Sequence, residues 1–472
     1  MSNRRISTVA AAAVAAAVAV VVVGLPGTLS TTATPAAHAD PAGSVGTPAN
    51  PAGSVDLPDP AGSVRFHAAT PDEVVDPFYL PPADLPDAPG TVIKTQPVGI
   101  PATLPGSDGA WPADGTRVMF TSRDVHDRPT AVTAMVIEES GPWQGPGERP
   151  TVVIAPGTTG QGDRCALSLT TPSGLWVGAN PDPYFSANQE IVSAAKWHAR
   201  GARVVVTDYV GLGTPGVHTY INRVETGRAV LDAARAARTL AGADSPLLLW
   251  GYSQGGGATG SAAELQPTYA PDLDLRGAWA GAPVADLEQV MKVADGGLIG
   301  GVIAWAVNGM VDRYPQLQPL LDEALTDEGT ALLESARTKC IGDVIFKAPF
   351  VRSADYTVDG RPLGDWINDH PEALEILRDQ RVGQLTPEVP VLVTAAPHDD
   401  TVPYGQARRL AEDWCAAGAD VTFRTTPMPA LAPGWTLPDH FGPLIRDTML
   451  FDDVTPWLVS TLEGGGSGCT LD

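Results

Sequence analysis

Basic residues are scarce in this chain. Lysine and arginine number 30 against 54 aspartates and glutamates, which leaves a formal net charge of −24 over 472 residues. Because nucleic-acid phosphates and anionic membrane surfaces attract clustered lysines and arginines, this balance argues against either as a partner. The surplus of carboxylates is typical of a soluble, exported protein. Hydrophobic residues make up 43% of the chain, which is ample for a large core.

Cysteine is equally rare, and the four residues are Cys165, Cys340, Cys415 and Cys469. No two of them form a C-x-x-C pair, which argues against a thiolate metal site. An even number of cysteines in an exported chain favours two disulfides. Four cysteines allow three pairings, and the sequence by itself does not choose among them.

Long apolar runs are missing outside the N-terminus. There, Arg4 and Arg5 precede an apolar stretch over residues 9–25, and a small-x-small cleavage site follows at 37–39. This pattern predicts a secretory signal peptide over residues 1–39, and hence an extracellular protein, with cell-surface association left open. The alternative is a membrane anchor. The run is alanine-rich and about 17 residues long, which is the lower limit for spanning a bilayer.

Residues 40–75 contain the pentapeptide PAGSV three times and are dominated by Pro, Gly, Ala and Ser, which predicts a flexible linker. From residue 76 onwards, apolar runs alternate with helical patterns, as in a mostly parallel α/β sheet. The two runs nearest the start have no helix between them and would form an antiparallel edge. The predicted strands are 117–122, 131–137, 151–155, 203–208, 246–250, 276–280, 390–395 and 421–425.

Residues 288–387 interrupt this alternation. They separate two predicted strands by about a hundred positions, far more than an ordinary crossover, and their pattern is mostly helical. We therefore expect a core made of residues 76–287 and 388–472. The interval 288–387 would form a helical cap over the C-terminal edge of the sheet, where the sites of α/β proteins lie.

One serine lies inside a cluster of glycines. The segment LLLWGYSQGGGATG (247–260) places Ser253 between a predicted buried strand and a predicted helix, and residues 251–255 fit the pattern G-x-S-x-G. In such an elbow the glycines let neighbouring backbone pass without a Cβ clash. The helix N-terminus offers backbone N–H groups to an oxyanion, so we expect Gln254 to supply one donor. The alternative is a glycine turn with an inert serine.

A serine nucleophile needs a base and an acid that orients the base, and this fold presents them in the order Ser, acid, His. The strand at 390–395 is followed by APHDDTVPY, so Asp399 and Asp400 lie where the acid is expected. His440 follows about forty residues later and is the candidate base. Of the other histidines after the serine, His370 lies in the predicted cap and His398 adjoins the acids. The alternative is that His440 is a surface residue.

A second oxyanion donor is expected in the loop after the strand at 151–155. This loop begins PGTTGQGD, with many accessible N–H groups and little side-chain bulk. We expect the donor among residues 157–163, with Thr158 as one candidate. The alternative is an ordinary glycine-rich turn.

The apolar segment LIGGVIAWAVNGMV, residues 298–311, lies inside the predicted cap. It is too short for a bilayer span. A helix that only packs gains nothing from its glycines, each of which costs about 1 kcal/mol against alanine. Missing side chains would leave room for an acyl chain, so we expect Leu298, Gly300, Gly301 and Trp305 to line an acyl pocket. The alternative is a buried cap helix.

The blocks DPFYLPP, APGTTGQGDRCALS, GYSQGGGA, HDDTVPY and EDWCAAGADVTF together resemble the secretory lipase family, over roughly residues 75–460. The resemblance implies an α/β-hydrolase fold, with a mostly parallel central sheet and an inserted, mainly helical cap. It implies hydrolysis of acylglycerols or other lipid esters. Ser253, Asp399 and His440 match the family's nucleophile, acid and base, and Asp163 matches an aspartate linked to its oxyanion hole. The proline usual after the alanine of the CALS block is absent.

The resemblance also favours the disulfides Cys165–Cys340 and Cys415–Cys469. We therefore expect an exported serine ester hydrolase that needs no cofactor and no metal. Its substrate would be a lipid or small ester, with transient contact between the cap and a lipid interface. The alternatives are an acyltransferase with the same triad, a peptidase, or a catalytically inactive lipid-binding or cell-surface module. Acyl chain length and oligomeric state stay open.

Overall fold

The computed structural model describes residues 76–101, 113–139, 141–178, 184–466 and 468–472. The predicted signal peptide and linker lie outside these residues. The strands are β1 (Val92–Ile100), β2 (Ala113–Arg123), β3 (Pro129–Ile137), β4 (Thr151–Ala155), β5 (Leu175–Gly178), β6 (Tyr184–Ala187), β7 (Arg203–Thr207), β8 (Leu247–Tyr252), β9 (Leu275–Gly281), β10 (Val391–Ala395), β11 (Val421–Thr425) and β12 (Thr470–Leu471). The α-helices are α1 (Leu167–Thr170), α2 (Glu190–Ala199), α3 (Arg223–Ala241), α4 (Gln254–Tyr269), α5 (Leu287–Ala294), α6 (Ile303–Arg313), α7 (Gln318–Ala324), α8 (Asp327–Ala336), α9 (Ile341–Lys347), α10 (Leu363–Asn368), α11 (Pro371–Asp379), α12 (Tyr404–Ala416), α13 (Phe441–Ile445) and α14 (Val454–Ser460).

The central sheet has the strand order β1-β2-β3-β7-β4-β8-β9-β10-β11-β12. Pairing is antiparallel from β1 to β7 and parallel from β7 to β12, so the predicted mostly parallel sheet with an antiparallel edge is confirmed. Each predicted strand corresponds to a strand of the sheet. The sequence does not predict the edge strands β1 and β12, because β1 contains a proline and a glycine at exposed positions and β12 is two residues long.

Helices cover both faces of the sheet. Side chains of α3, α4 and α12 pack on one face, and those of α2 and α14 pack on the other. Within β4, Val153 faces the first cluster while Val152 and Ile154 face the second. Every residue of β4, β8 and β10 is buried, which explains why these strands are largely apolar.

Residues 288–387 are all described, and they carry helices from α5 to α11 with no strand of the central sheet. The division into core and cap stays a prediction, but the helical content agrees with it. Both disulfides favoured by the resemblance are present. Cys165–Cys340 joins the loop after β4 to the start of α9, and Cys415–Cys469 joins α12 to the segment before β12. Among the described residues, no helix is long and apolar enough to cross a membrane.

Candidate active site

Ser253 lies in a sharp turn between β8 and α4, with φ 61° and ψ −120°. This positive φ is rare for a residue with a side chain, and surrounding structure must hold it. A Cβ on Gly251 would lie 2.1 Å from the carbonyl oxygen of Gly255, and one on Gly255 would lie 2.0 Å from that of Ala155. The glycines therefore allow the turn to pack against β4 and leave Ser253 at its tip, as the G-x-S-x-G pattern predicts.

The side chains of Ser253, His440 and Asp399 form one buried hydrogen-bonded chain. His440 Nε2 lies 2.9 Å from Ser253 Oγ, and His440 Nδ1 lies 2.7 Å from Asp399 Oδ2. The other carboxylate oxygen of Asp399 accepts the N–H groups of Thr401 at 2.9 Å and Val402 at 2.8 Å. These two bonds fix which oxygen faces the imidazole. This geometry fits the predicted roles of nucleophile, base and orienting acid, which stay predictions.

The side chain of Asp400, the neighbouring carboxylate, binds other groups than His440. Its Oδ2 accepts the N–H of Thr436 at 3.0 Å and its Oδ1 accepts the hydroxyl of Thr401 at 3.3 Å. Burial raises the pKa of the Asp400 carboxyl above its usual range, although the N–H of Thr436 partly opposes this. Asp400 therefore supports the loop that carries the base.

Two backbone N–H groups near the serine are free to bind an oxyanion. Gln254 opens helix α4, and Thr158 lines the same cavity as Ser253. Neither N–H has an acceptor among the described residues. The N–H of Gly157 is already donated to a buried carboxylate, that of Glu190, at 3.0 Å. Gln254 and Thr158 therefore fit the oxyanion role better than Gly157 does.

Asp163 does not line this cavity. It begins a short 3₁₀ turn, Asp163–Cys165, in a loop that packs against residues 338–340. In the same loop the N–H of Gln161 donates to the carbonyl oxygen of Lys339 at 2.9 Å. The loop is thus engaged with the helical interval, and Asp163 lies in the same turn as Cys165 and not among the residues that line the cavity of Ser253.

An apolar cavity of about 110 Å³ opens above Ser253. Helix α6 supplies one wall, and α5, α7, α10 and α11 supply the others, so most of its lining comes from residues 288–387. None of the lining side chains is charged. The polar groups at its floor are Ser253, Thr158, Tyr220 and Thr401, and the hydroxyls of Thr158 and Tyr220 lie 2.7 Å apart.

The structure corrects the predicted acyl-pocket residues. Leu298, Gly300, Gly301 and Trp305 do not line this cavity. The residues of the same segment that do are Ile299, Val302, Ile303, Ala306, Val307, Met310 and Val311. A Cβ on Gly300 would lie 2.3 Å from the carbonyl oxygen of Val351, so this glycine allows close backbone packing. The indole N–H of Trp305 donates to the carbonyl oxygen of Ala336 at 2.9 Å, and its ring packs edge-on against Tyr220.

Comparison with known proteins shows which family the chain resembles. A family model described as secretory lipase matches residues 184–445, more than half of the chain. A probable inactive lipase of Mycobacterium tuberculosis (strain CDC 1551 / Oshkosh) is 30% identical over 74% of this chain and 76% of its own length. The chain belongs to the secretory lipase family.

A second relative and a solved structure agree with this family assignment. A secreted triacylglycerol lipase of Malassezia restricta (strain ATCC 96810 / NBRC 103918 / CBS 7877) is 29% identical over 75% of this chain and 74% of its own length. The closed-state structure of Candida antarctica lipase A superposes with a TM-score of 0.68 at 23% identity, covering 84% of this chain and 88% of that one. The α/β-hydrolase fold and the expectation of a lipase-like ester hydrolase are thereby confirmed. The family and the secreted relatives also support the predicted extracellular location.

A buried carboxylate next to the active site was not predicted. Glu190 begins helix α2, is buried, and accepts the N–H of Gly157 in the loop that carries Thr158. Burial raises the pKa of the Glu190 carboxyl from 4.5 to about 7, although the Gly157 N–H opposes this shift. A glutamate at the start of a helix is usually explained by the favourable interaction of its negative charge with the helix dipole. The sequence therefore gives no sign that Glu190 is buried.

We expect Glu190→Gln to change how the stability of this secretory lipase depends on pH. Between pH 4.5 and about 7 the folded chain holds the Glu190 proton and the unfolded chain releases it, so the free energy of unfolding falls as pH rises through this window. Glutamine does not titrate but still accepts the Gly157 N–H. The variant should therefore match the wild type at low pH and exceed it above pH 7 by on the order of 3 kcal/mol.

Denaturant unfolding of both proteins across this range measures the difference directly. Two other buried carboxyls, Asp208 and Asp232, have pKa values raised by burial to about 6, and they titrate in both proteins. Their contribution cancels in the comparison. If the free energy of unfolding depends on pH in the same way for the variant and the wild type, folding does not raise the pKa of Glu190, and the prediction is wrong.

Proposed function

We propose that this chain is a secreted serine hydrolase that cleaves lipid esters through Ser253, His440 and Asp399. The observation that carries the proposal is the unbroken hydrogen-bonded chain from Ser253 Oγ through the imidazole to Asp399, at the tip of a strained elbow. Family membership alone would not suffice, because one relative is named a probable inactive lipase. The complete triad in this chain favours catalysis over a binding role.

In the proposed mechanism Ser253 Oγ attacks the ester carbonyl carbon while His440 Nε2 takes its proton. Asp399 holds the imidazole through Nδ1 and stabilises the imidazolium that forms. The N–H groups of Gln254 and Thr158 bind the negative oxygen of the tetrahedral intermediate, helped by the N-terminus of α4. The imidazolium then protonates the departing alcohol, which leaves an acyl-enzyme on Ser253. Water, deprotonated by His440, attacks the acyl-enzyme, and the carboxylic acid is released.

The cavity above Ser253 supports a substrate with an apolar acyl group. Its walls are uncharged and largely aliphatic, so each methylene buried there would contribute about 0.8 kcal/mol to binding. A relative is named as a secreted triacylglycerol lipase, which favours acylglycerols among the lipid esters. Contact between the helical interval and a lipid surface stays a prediction.

Hydrolysis of p-nitrophenyl and glycerol esters from acetyl to palmitoyl tests this function. Turnover, together with fluorophosphonate labelling of Ser253, is the expected result. Labelling without release of free acid, but with acyl transfer to an added alcohol, would indicate the acyltransferase. Absence of both labelling and turnover in folded protein would indicate the inactive binding module. Cleavage of amides in preference to esters would indicate a peptidase.

Ala306→Phe is expected to shorten the range of acyl chains that the enzyme accepts. Ala306 lies on α6 and lines the cavity, so a phenyl ring would occupy space that the acyl chain needs. Excluding two methylenes from the cavity should lower kcat/KM for the octanoyl ester about tenfold relative to the acetyl ester. Parallel assays of the two esters measure this ratio.

Gly300→Ala serves as the matched control on the opposite side of the same segment. Its Cβ would meet the carbonyl oxygen of Val351, so we expect a loss of stability of about 1–3 kcal/mol and an unchanged octanoyl-to-acetyl ratio. If Gly300→Ala changes the ratio and Ala306→Phe does not, the acyl group binds on the glycine side after all.

A further inference from the structure

A second apolar cavity lies behind the first. It has a volume of about 40 Å³ and is lined mainly by α6, α8 and the segment 351–363, including Leu325, Leu332 and Val351. The glycines Gly300 and Gly301 line this second cavity. The space that the glycine-rich pattern suggested therefore exists, but it is separate from the cavity that contains Ser253.

Three side chains line both cavities and form the partition between them: Ile303, Val307 and Leu363. Ile303 and Val307 are four residues apart on α6 and so lie on one face of that helix, and Leu363 begins α10 opposite them. Ile303 and Leu363 are buried in one apolar cluster with Trp366. The side chains that the two cavities share are thus entirely aliphatic.

The helix that carries the partition is held firmly in place. Asn308 Nδ2 donates to Gln161 Oε1 at 2.8 Å and to the carbonyl oxygen of Leu333 at 2.9 Å. Gln161 Nε2 in turn donates to the carbonyl oxygens of Trp305 and His218, both at 3.0 Å. These buried bonds tie α6 to the loop after β4 and to α8, so a substrate would not easily displace the helix as a whole.

The first cavity is small for a long acyl chain. A cavity of about 150 Å³ lined by apolar side chains holds one benzene molecule, and the cavity above Ser253 is smaller than that. A chain that extends from the serine toward the side chains shared by the two cavities would fill the first cavity and then meet this partition. The second cavity offers apolar space directly beyond it.

We propose that Ile303, Val307 and Leu363 set the upper limit of acyl chain length by closing the first cavity from the second. This inference rests on the proposed ester hydrolase function. Shortening these side chains joins the two cavities into one longer apolar pocket. Each further methylene that becomes buried should raise kcat/KM about fourfold, until the second cavity is filled.

The test uses Ile303→Ala and Val307→Ala, with Val290→Ala as the matched control. Val290 lines the first cavity and not the second, so its truncation widens the pocket without opening the partition. We expect the kcat/KM profile from acetyl to palmitoyl esters to extend to longer chains in both partition variants and not in the control. Adding Ala304→Val, which places two methyl groups in the second cavity, should reverse the extension.

Binding is measured separately, in the Ser253→Ala background, by displacement of a fluorescent fatty acid with free fatty acids of the same lengths. Longer acids should bind more tightly to the partition variants than to their parent. Unchanged length dependence in folded partition variants, or an equal shift in Val290→Ala, would overturn the proposal. Ile303→Val tests the same point should Ile303→Ala fold poorly. Failure of the hydrolase proposal would appear differently, as absence of wild-type turnover on every ester.

Discussion

Replacing Ser253 by alanine is expected to lower kcat for ester hydrolysis on the order of 10⁶-fold while the protein stays folded. In the proposed mechanism the hydroxyl oxygen receives the acyl group, and His440 Nε2 has no other partner among the described residues. Alanine keeps the Cβ and hence the backbone conformation of the elbow. The lost hydrogen bond should change the free energy of unfolding by only about 1 kcal/mol. Steady-state assays with a butyryl ester and denaturant unfolding measure the two effects.

Ser261→Ala provides the matched control for this prediction. Ser261 is a buried serine of helix α4, which follows Ser253, and its hydroxyl donates to the carbonyl oxygen of Arg223 at 2.6 Å. Its loss should affect stability about as much, with full activity and full fluorophosphonate labelling. Retained turnover in Ser253→Ala, at wild-type stability, would mean that another residue is the nucleophile.

The fold and the proposed triad could be predicted from the sequence because their signals are local. Ser253, Asp399 and His440 each follow a strand of the parallel part of the sheet, namely β8, β10 and β11. Parallel strands end at one edge, so side chains that follow them converge. The glycines around Ser253 mark a turn whose neighbours lie too close for a Cβ, and the G-x-S-x-G pattern that signals this turn is short and contiguous in the sequence.

The cavity-lining face of residues 298–311 was mispredicted for a physical reason. The glycine pattern predicts room for a ligand, and Gly300 and Gly301 do line an apolar cavity, but it is not the cavity that contains Ser253. A Cβ on Gly300 would meet the backbone at Val351. The correct signal was the helical spacing of the larger apolar residues: Ile299, Ile303, Ala306 and Met310 recur every three or four positions and face the cavity. The helical periodicity of these apolar residues predicts the cavity lining better than the positions of the glycines do.

Other features depend on contacts that no local pattern reveals. The far walls of the cavity come from α10 and α11, some sixty to seventy residues further along the chain than α6. The same holds for the partition, which pairs Ile303 and Val307 with Leu363 across that separation. Burial of Glu190 depends on where the loop with Gly157 lies, which is set by the sheet order.

Asp399→Asn is expected to lower kcat about 10⁴-fold with little change in KM. Asp399 Oδ1 accepts two backbone N–H groups, from Thr401 and Val402, while Oδ2 faces His440 Nδ1. An asparagine must keep its oxygen on those two N–H groups, because its NH₂ group cannot accept them. The NH₂ group then faces Nδ1 and requires a lone pair there. The imidazole proton moves to Nε2, so the nitrogen facing Ser253 can no longer act as a base.

Asp400→Asn tests whether this effect belongs to position 399 alone. The two residues are adjacent in one loop and the substitution is the same, but Asp400 accepts a backbone N–H from Thr436 and a hydroxyl from Thr401 and makes no hydrogen bond to His440. The asparagine oxygen can keep the bond to Thr436, and burial already favours the uncharged form of Asp400 by raising its pKa. We therefore expect kcat to fall less than about tenfold, the effect of a single weakened hydrogen bond. If Asp400→Asn costs more activity than Asp399→Asn in variants of equal stability, the acid of the triad is Asp400, and the hydrogen bonds described at Asp399 serve only to shape the loop.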